Sequence, residues 1–173
     1  MWIYITAGLV LAFGFMAFTG APYLPSKRKD IERALTELYE LGVKDHLVDM
    51  GAGDGVVLRV ASSLGAKATG YEINPVIAYI ARFLSRNDSH VKVYVANLWR
   101  VEFPDDTTVV YVFGDTRDIK KMYKKVEEQA ARIGRPLYLI SYGFAVPGCE
   151  TVKQVGASNL YRVEPLRKQK AQV

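Results

Sequence analysis

The stretch HLVDMGAGDGVVLRVASSLGAKATGYEINP, residues 46–75, decides the fold class of this chain. A short apolar run opens it, three glycines at alternate positions follow, and the next apolar residues have helical spacing. A second apolar run, residues 67–72, comes after that helical segment. The order strand, loop, helix, strand predicts two parallel strands joined by a crossover helix. The glycines further predict that a ligand approaches the backbone closely between the first strand and the first helix.

Strands and helices continue to alternate after this unit. The alternation predicts an α/β domain with a mostly parallel, Rossmann-like sheet, helices on both faces and a C-terminal antiparallel hairpin. Only twelve residues, 97–108, join the third and fourth strands, too few for a full crossover helix, so we expect a trimmed fold. The predicted strands are residues 46–51, 67–72, 90–97, 108–114 and 136–144; the predicted helices are residues 27–42, 55–65, 74–87 and 116–134, the last capped by Thr116 or Asp115; and the hairpin is residues 150–156 and 160–166 around a turn at 157–159.

The first 26 residues differ from the rest because they carry no charged side chain. Their apolar run, residues 2–18, is near the short end of a membrane span, and the basic residues 27–29 follow it. This predicts a single-pass N-terminal anchor, a transmembrane helix, with the folded domain facing the cytoplasm. A cleaved signal peptide and a buried soluble helix are the alternatives. The predicted division of the chain is an anchor and linker at residues 1–26, a folded domain at 27–166 and a basic tail at 167–173.

The composition of the chain indicates a packed domain and limits the kinds of partner that are expected. The 173 residues suffice for one domain, and 50% of them are hydrophobic, so a packed core is expected. The formal net charge of +5 favours an acidic partner, either nucleic acid or an anionic membrane surface. The only cysteine, Cys149, excludes an intrachain disulfide. His46 and His90 each stand at the start of a predicted strand and are interpreted as solvated turn residues, so no metal site is predicted.

The glycine loop at residues 49–55 occupies the position where open parallel sheets bind ligands, beyond the carboxyl end of the first strand. A dinucleotide fingerprint needs a glycine at the sixth position, where this chain has Val56, and no lysine of a phosphate-binding P-loop is present. The acid Asp49 lies at the strand end instead, where it can reach a cationic group. A cofactor with a positive centre, a ribose and an adenine but no phosphate fits this pattern, and S-adenosylmethionine is such a molecule.

The ends of the next two strands agree with this interpretation. Glu72 ends the second strand, where an acid accepts hydrogen bonds from ribose hydroxyls. Asn97 ends the third strand, where its side-chain carbonyl can accept from the adenine amine, and Trp99 can stack on the purine. The predicted cofactor-binding residues are therefore Asp49, Gly51, Gly53, Asp54, Gly55, Glu72, Asn97, Leu98 and Trp99.

Four short motifs carry a resemblance to a known family: APYLPS at residues 21–26, DMGAGDG at 49–55, GYEINP at 70–75 and NLW at 97–99. With them the chain resembles the class I, seven-strand S-adenosylmethionine-dependent methyltransferases. More narrowly, it is similar to the small membrane-anchored protein-lysine methyltransferases related to those that act on the ATP synthase c-subunit and the adenine nucleotide translocase. It departs from that pattern at Asn97, where those proteins usually have an acid, and at Asp115, where a less polar residue is expected.

The resemblance implies an S-adenosylmethionine-dependent protein-lysine N-methyltransferase whose substrate is a membrane or membrane-proximal protein. It further implies that Tyr23, Pro25 and Ser26 fold over the cofactor and help to form the channel for the substrate lysine. Asp115, after the fourth strand, would orient the lysine ammonium or relay its proton, unless it is a helix cap. Tyr142, near the end of the fifth strand, either lines that channel or packs at the strand end.

Two alternatives to this function stay open. Four lysines on one helix, at positions 120, 121, 124 and 125, are interpreted as a solvated face, but an RNA methyltransferase would use such residues against phosphate. A membrane anchor gives such an enzyme no obvious advantage, so nucleic acid is not the expected partner. The other alternative is a non-catalytic S-adenosylmethionine-binding protein, in which the departures at Asn97 and Asp115 reflect lost catalysis. The sequence leaves the oligomeric state open.

Overall fold

The structure, a computed structural model, describes residues 28–114 and 116–165. The predicted anchor and linker at 1–26, the basic tail at 167–173 and Asp115 lie outside the described residues. The helices are α1 (Arg28–Arg33, continued by a π-helical turn at Ala34–Leu38), α2 (Val56–Ser63), α3 (Pro75–Leu84) and α4 (Ile119–Ile133). The strands are β1 (His46–Met50), β2 (Lys67–Glu72), β3 (Val91–Val95), β4 (Val109–Phe113), β5 (Leu137–Tyr142), β6 (Lys153–Val155) and β7 (Ser158–Val163).

The strands form a single seven-stranded sheet in the order β3-β2-β1-β4-β5-β7-β6. The first five strands are parallel, and β7 pairs antiparallel with both β5 and β6. Strand order reverses at β1, which has β2 on one side and β4 on the other, so the switch point lies at the carboxyl end of β1. The predicted α/β class, the mostly parallel sheet and the C-terminal hairpin are confirmed.

β1 is buried along its whole length because the sheet is covered on both faces. One face packs against α1, α2 and α3 through a cluster that includes Leu47 of β1 and Leu58 of α2. The other face packs against α4 through a cluster that includes Val48 of β1 and Val126 of α4. Successive residues of β1 therefore point into two different cores, as the period of a strand requires.

The predicted trimming of the fold is confirmed by the connection between β3 and β4. Residues 96–108 contain turns but no helix. Phe103 from this segment is buried, and its ring centroid lies 6.3 Å from that of Tyr71 in β2. Side chains of a short connection, rather than a helix, therefore cover this part of the second face. Across residues 28–114 and 116–165, no helix is long and apolar enough to span a membrane.

The first helix is shorter than the predicted range 27–42. It ends at Leu38, after the π-helical turn. Glu40 then takes a positive φ of 59°, and the Leu41 N–H donates back to the Leu35 carbonyl oxygen at 2.8 Å. This reversal buries the Leu41 side chain against the core. Packing of Leu41, rather than the flexibility of Gly42, therefore determines where the helix ends.

Two other predicted positions are wrong by a few residues. The closing hairpin turns at Gly156 and Ala157, since Val155 already pairs with Ser158, rather than over 157–159. Gly156 has φ 59°, the positive value that a type II′ turn requires at its first central position. The N-cap of α4 is Asp118, not Thr116 or Asp115.

Candidate cofactor and active site

The glycine loop begins where β1 ends, at the switch point of the sheet. The backbone N–H groups of Gly51 and Ala52 both donate to the carbonyl oxygen of Tyr71 in β2, at 3.0 and 3.1 Å. These bonds hold the loop against the carboxyl end of the neighbouring strand. Gly51, Gly53 and Gly55 have φ values of 100°, 53° and 79°, which residues with a side chain rarely adopt. The backbone path of the loop therefore requires glycine at all three positions.

The glycines differ in what surrounds them. A Cβ built on Gly51 meets nothing within 4 Å, so this side of the loop is open. A Cβ on Gly55 would lie 3.2 Å from a Cβ in α3, so Gly55 also serves helix packing. A Cβ on Gly70 in β2 would lie 2.6 Å from both Ala52 Cβ and Leu58 Cδ1. Gly70, which was not predicted as a site residue, therefore lets the loop and α2 lie directly on β2.

The carboxylate of Glu72 is oriented by backbone hydrogen bonds. Its Oε2 accepts from the N–H of Gly53 at 3.0 Å, and its Oε1 accepts from the N–H of Asn74 at 2.8 Å. Asn74 in turn caps α3, since its Oδ1 accepts from the N–H groups of Val76 and Ile77. Each carboxylate oxygen keeps a lone pair for a ligand donor. Glu72 is therefore a preorganised acceptor beside the glycine loop, where the sequence predicts a ribose.

Asp49 places a buried carboxyl group beneath the loop, with 3% of the residue exposed. Burial is the main reason that the pKa of Asp49 rises to about 8, and the negative charges of Glu72 and Asp54 add to it. A bound cation would oppose both effects by stabilising the ionised carboxyl group. The electrostatics of the site therefore favour a ligand with a positive group.

Asp54 has a structural role at the start of α2. Its Oδ1 accepts from the N–H of Val56 at 3.2 Å. The Arg59 guanidinium donates to the Asp54 carbonyl oxygen at 2.5 Å and approaches its Oδ2 at 3.5 Å. These bonds join the last turn of the loop to the first turn of the helix. A contribution of Asp54 to cofactor binding stays a prediction.

β3 brings Asn97 beside the end of β2. The carbonyl oxygen of Glu72 accepts from the N–H of Ala96 at 2.9 Å, and Asn97 follows directly. The Asn97 Oδ1 accepts from the N–H of Trp99 at 3.0 Å, which folds these residues into a tight turn. An amide oxygen has two lone pairs, so one is left for a ligand amine.

Trp99 is held from one side by two lysines of α4. The Lys121 ammonium lies 4.1 Å from the centroid of the Trp99 rings, and the Lys125 ammonium donates to the Trp99 carbonyl oxygen at 3.3 Å. Leu98 and Trp99 both pack, partly buried, against the second core cluster. A purine can therefore stack only on the ring face away from Lys121. Lys125 is buried, so its interpretation as part of a solvated face is wrong, whereas the other three lysines are exposed.

An aromatic pair that extends the site lies at the carboxyl ends of β4 and β5. The rings of Phe113 and Tyr142 have centroids 5.5 Å apart, and both residues are half-buried. The Tyr142 hydroxyl donates to Asp30 Oδ2 of α1 at 3.0 Å. The start of α1 is thereby tied to the edge of the sheet where the glycine loop lies. Neither Asp30 nor Phe113 was predicted, because no local pattern signals a contact across 112 positions.

The predicted catalytic residues Tyr23, Ser26 and Asp115 lie outside the described residues, so their roles stay predictions. No group of three His, Cys, Asp or Glu side chains in the described ranges is arranged to hold a metal ion. An open depression of about 490 Å³ lies between α2 and the segment after α3. It is lined by Arg59, Asp88 and neighbouring residues, and none of the predicted cofactor-binding residues borders it.

His46 is not the solvated turn residue that was predicted, since only 8% of it is exposed. Its Nδ1 lies 2.7 Å from Asp106 Oδ1, and its Nε2 lies 2.8 Å from Thr69 Oγ1. The Lys67 ammonium donates to the other Asp106 oxygen at 2.9 Å. Lys67 first, and then His46, lower the pKa of Asp106 to about 2. This cluster lies at the amino end of β1, opposite the glycine loop, so it stabilises the sheet and takes no part in the site.

Solved structures share this architecture over most of the chain. An RNA methyltransferase from Salinibacter ruber, in complex with S-adenosyl-L-homocysteine, superposes with a TM-score of 0.71 at 23% identity, covering 85% of this chain and 97% of that chain. The fold is that of the class I methyltransferases. The 23S rRNA methyltransferase ErmE shares the class I fold with a TM-score of 0.57 at 17% identity, covering 83% of this chain and 72% of that chain.

The names of the curated proteins that are similar to this chain are more specific than the fold, because they state a substrate. The chain is 32% identical over 118 residues to the lysine N-methyltransferase of the ATP synthase c-subunit from Rattus norvegicus, a match that spans 65% of this chain and 53% of that protein. It is 33% identical over 111 residues to the protein of the same name from Homo sapiens, spanning 62% of this chain and 46% of that protein. The chain thus spans about half the length of these curated relatives. The predicted resemblance to class I methyltransferases and to these lysine N-methyltransferases is confirmed. No protein-family model matches the chain.

Proposed function

We propose that this chain is an S-adenosylmethionine-dependent protein-lysine N-methyltransferase that acts on a membrane or membrane-proximal protein. The proposal rests on the identity of 32–33% to proteins named as lysine N-methyltransferases of the ATP synthase c-subunit. The acid-lined glycine loop at the switch point supports it, because its geometry suits a cationic nucleoside. A lysine of the ATP synthase c-subunit is, from the names of these relatives, the first substrate to test.

The residues present fit S-adenosylmethionine. When bound, this cofactor supplies a methyl group carried on a positively charged sulfur. The carboxylate of Asp49 provides the negative charge that such a group needs, and the open side of Gly51 leaves room for it. Glu72 accepts hydrogen bonds from the ribose with its remaining lone pairs. Asn97 accepts from the adenine amine, and Trp99 offers one ring face for stacking.

The substrate lysine needs an environment that favours its neutral amine, because only the neutral form is a nucleophile. Removal of the amine from water favours that form, since burial among apolar and aromatic side chains lowers the pKa of a lysine ammonium. Phe113 and Tyr142 supply such walls at the edge of the sheet that holds the cofactor residues, and Asp30 fixes the Tyr142 hydroxyl. This pair is the part of the described chain best placed to line a lysine channel.

Three further residues complete the channel in this proposal, on the strength of the family resemblance. Tyr23 and Ser26 close over the cofactor and the lysine, and Asp115 orients the ammonium or takes its proton. The contact between Asp30 and Tyr142 supports the first part, because it ties the helix that follows the APYLPS motif to this edge of the sheet. The apolar run at residues 2–18 and the basic residues 27–29 support a single-pass anchor with the domain on the cytoplasmic side.

RNA methylation is the second candidate function. The structure from Salinibacter ruber that matches 85% of this chain is named an RNA methyltransferase. An identity of 23% is evidence for the shared fold and not for a shared substrate. The net charge of +5 also suits nucleic acid. A non-catalytic cofactor-binding protein is the third candidate.

Transfer of labelled methyl groups separates these candidates. The full chain is incubated with labelled S-adenosylmethionine and with membrane protein, soluble protein and RNA fractions of its host. The proposal predicts label in a protease-sensitive membrane band that yields methyl-lysine on hydrolysis and is lost with Glu72→Gln. Glu128→Gln, at an exposed position of α4, is the matched control and should keep the label. Label that survives protease but not ribonuclease, or cofactor binding without transfer, would overturn the proposal.

A further inference from the structure

Helix α3 presents its large apolar side chains to solvent instead of to the core. Its buried residues are Ala78 and Ala81, which lie against the sheet. Phe83 is 62% exposed and Tyr79 is 60% exposed, among residues that a folded chain usually buries. The exposed residues of this surface, here named the α3 patch, are Ile73, Val76, Tyr79, Ile80, Phe83 and Leu84.

Large apolar side chains exposed side by side on one helix face are a feature of interaction sites. The usual amphipathic pattern of a helix on a sheet places large residues inward and polar residues outward. In α3 the small residues Ala78 and Ala81 face the sheet, and the large apolar residues face solvent. The large residues are therefore free to contact a surface outside the domain. The patch starts at Ile73, the residue after Glu72, so it reaches the same edge of the sheet as the candidate site.

The charges within the segment that forms the patch are both positive. The flanking acids, Glu72 and Asp88, are engaged in hydrogen bonds with Gly53 and Ser62. Between residues 73 and 87 the only charged side chains are Arg82 and Arg86. The Arg82 guanidinium carbon lies 5.3 Å from the Tyr79 ring centroid, and that of Arg86 lies 4.4 Å from the Phe83 ring centroid. Each aromatic ring is thus paired with a guanidinium, a combination that suits the boundary between acyl chains and headgroups.

The same charges argue against a symmetric contact between two copies of the chain. Such a contact would bring four arginines to one interface, two from each copy, and residues 73–87 contain no acid to pair with them. Lipid phosphates supply the missing negative charge. We propose that the α3 patch binds the surface of a bilayer with anionic headgroups. This contact is additional to the proposed anchor and does not depend on the proposed activity.

A fluorescent reporter on the patch tests this directly in the full chain. Phe83→Cys in a Cys149→Ser background is labelled with nitrobenzoxadiazole, whose emission rises and shifts to the blue in an apolar environment. Vesicles of phosphatidylcholine, with and without phosphatidylglycerol, are then added. The same label at Glu128→Cys, on the helix that covers the opposite face of the sheet, is the matched control. Circular dichroism of both labelled proteins shows that each is folded.

The proposal predicts that the label at position 83 responds to vesicles that contain phosphatidylglycerol and responds much less to vesicles of phosphatidylcholine alone. The label at position 128 should respond to neither kind of vesicle. Replacing Arg82 and Arg86 by Gln should raise the lipid concentration for half-maximal response by about fivefold for each arginine, since a cation near an anionic surface contributes about 1 kcal/mol. A smaller effect than twofold for the pair would contradict the role of the arginines.

Three results would overturn the proposal. The first is a silent label at position 83 in protein that nevertheless floats with the vesicles, which would place membrane contact elsewhere. The second is a response at position 83 that depends on protein concentration without lipid, which would indicate self-association. The third is an apolar environment at position 83 in dilute protein before vesicles are added, which would show that the chain covers its own patch.

Discussion

At the scale of single residues, Asp49 and Glu72 use their carboxyl groups in different ways. Glu72 is held by the N–H groups of Gly53 and Asn74, so its geometry is set before a ligand arrives. Asp49 is buried beside two other acids, and its pKa is raised to about 8. Glu72 therefore offers hydrogen-bond acceptors in a fixed orientation, and Asp49 offers a carboxyl group that a cation would ionise. Under the proposed function, the sulfonium and the ribose of S-adenosylmethionine would use these two groups.

The raised pKa of Asp49 makes ligand binding dependent on pH. Below about pH 8 the ligand-free site holds a proton that a sulfonium must displace, so the affinity for S-adenosylmethionine should rise with pH, by up to about tenfold per pH unit, and level off above pH 8. S-adenosylhomocysteine, whose sulfur is neutral, should show a weaker dependence. Isothermal titration of both ligands across this range measures the ratio of the two affinities.

Asp49→Asn is the control for this pH dependence, because an amide does not titrate in this range. The ratio of the two affinities should then be constant with pH. Parallel pH profiles for the two ligands in the unmodified protein would contradict the assigned role of Asp49. For folding the sign is opposite: the raised pKa stabilises the ligand-free fold below the ordinary value of 3.8, and that contribution is lost as pH rises through about 8.

At the scale of elements, the site depends on how closely the glycine loop and α2 pack on β2. Gly70 permits this, since a Cβ there would lie 2.6 Å from Ala52 and Leu58. A contact at that distance forces the loop, the helix or the strand to shift. The position of the cofactor loop is therefore coupled to a strand residue that does not touch the ligand site.

Gly70→Ala should destabilise the fold by about 1–3 kcal/mol, the usual cost of overpacking a core, and should also weaken S-adenosylmethionine binding. Urea unfolding measures the first effect and titration the second. Gly42→Ala is the matched control, because a Cβ there meets nothing within 4 Å and Gly42 does not have a positive φ. Equal stability of the two variants would show that the loop and α2 are not packed as described.

The contact between α1 and β5 ties the start of the described chain to the edge of the sheet that holds the glycine loop. Tyr142→Phe removes the hydrogen bond to Asp30 and keeps the ring beside Phe113. The expected result is a several-fold loss of kcat/KM for the lysine substrate with an unchanged Kd for S-adenosylmethionine. Tyr138→Phe, near the amino end of the same strand β5, should change neither quantity. A weaker cofactor affinity in Tyr142→Phe would place the contact in the cofactor site instead.

Elements with strong local patterns were predictable from the sequence, and those that depend on distant contacts were not. The strand and glycines around Asp49 have both a period and a turn signal, and their place in the sheet is confirmed. The end of α1 at Leu38 depends on burial of Leu41, which no local pattern shows. The sequence predicts a solvated turn residue at His46, and it gives no sign of the partners Asp106 and Thr69, which lie far along the chain.

At the scale of the whole molecule, the alternation of strands and helices predicts a mostly parallel sheet covered on both faces, but it does not predict the strand order β3-β2-β1-β4-β5-β7-β6. The same alternation predicts the position of the site at the switch point. Tyr142 is predicted either to line the lysine channel or to pack at the strand end, whereas its partner Phe113 is not predicted. The aromatic pair and its contact with Asp30 join α1, at the start of the described chain, to β4 and β5. The trimmed connections leave the fold with few additions, so the candidate site and the α3 patch lie close to one another on a small domain.

The central claim, that the acid-lined glycine loop binds S-adenosylmethionine, is tested most directly by isothermal titration of the full chain and of Glu72→Gln. Glutamine is neutral and has one oxygen where glutamate has two, both used by Gly53 and Asn74, so it gives the ribose hydroxyls a weaker acceptor. Hydrogen bonds to charged groups contribute about 1.5–3 kcal/mol, which corresponds to roughly tenfold to a hundredfold weaker binding. Glu128→Gln should bind like the unmodified chain. No binding by the unmodified chain, or equal affinity in Glu72→Gln, would contradict the account.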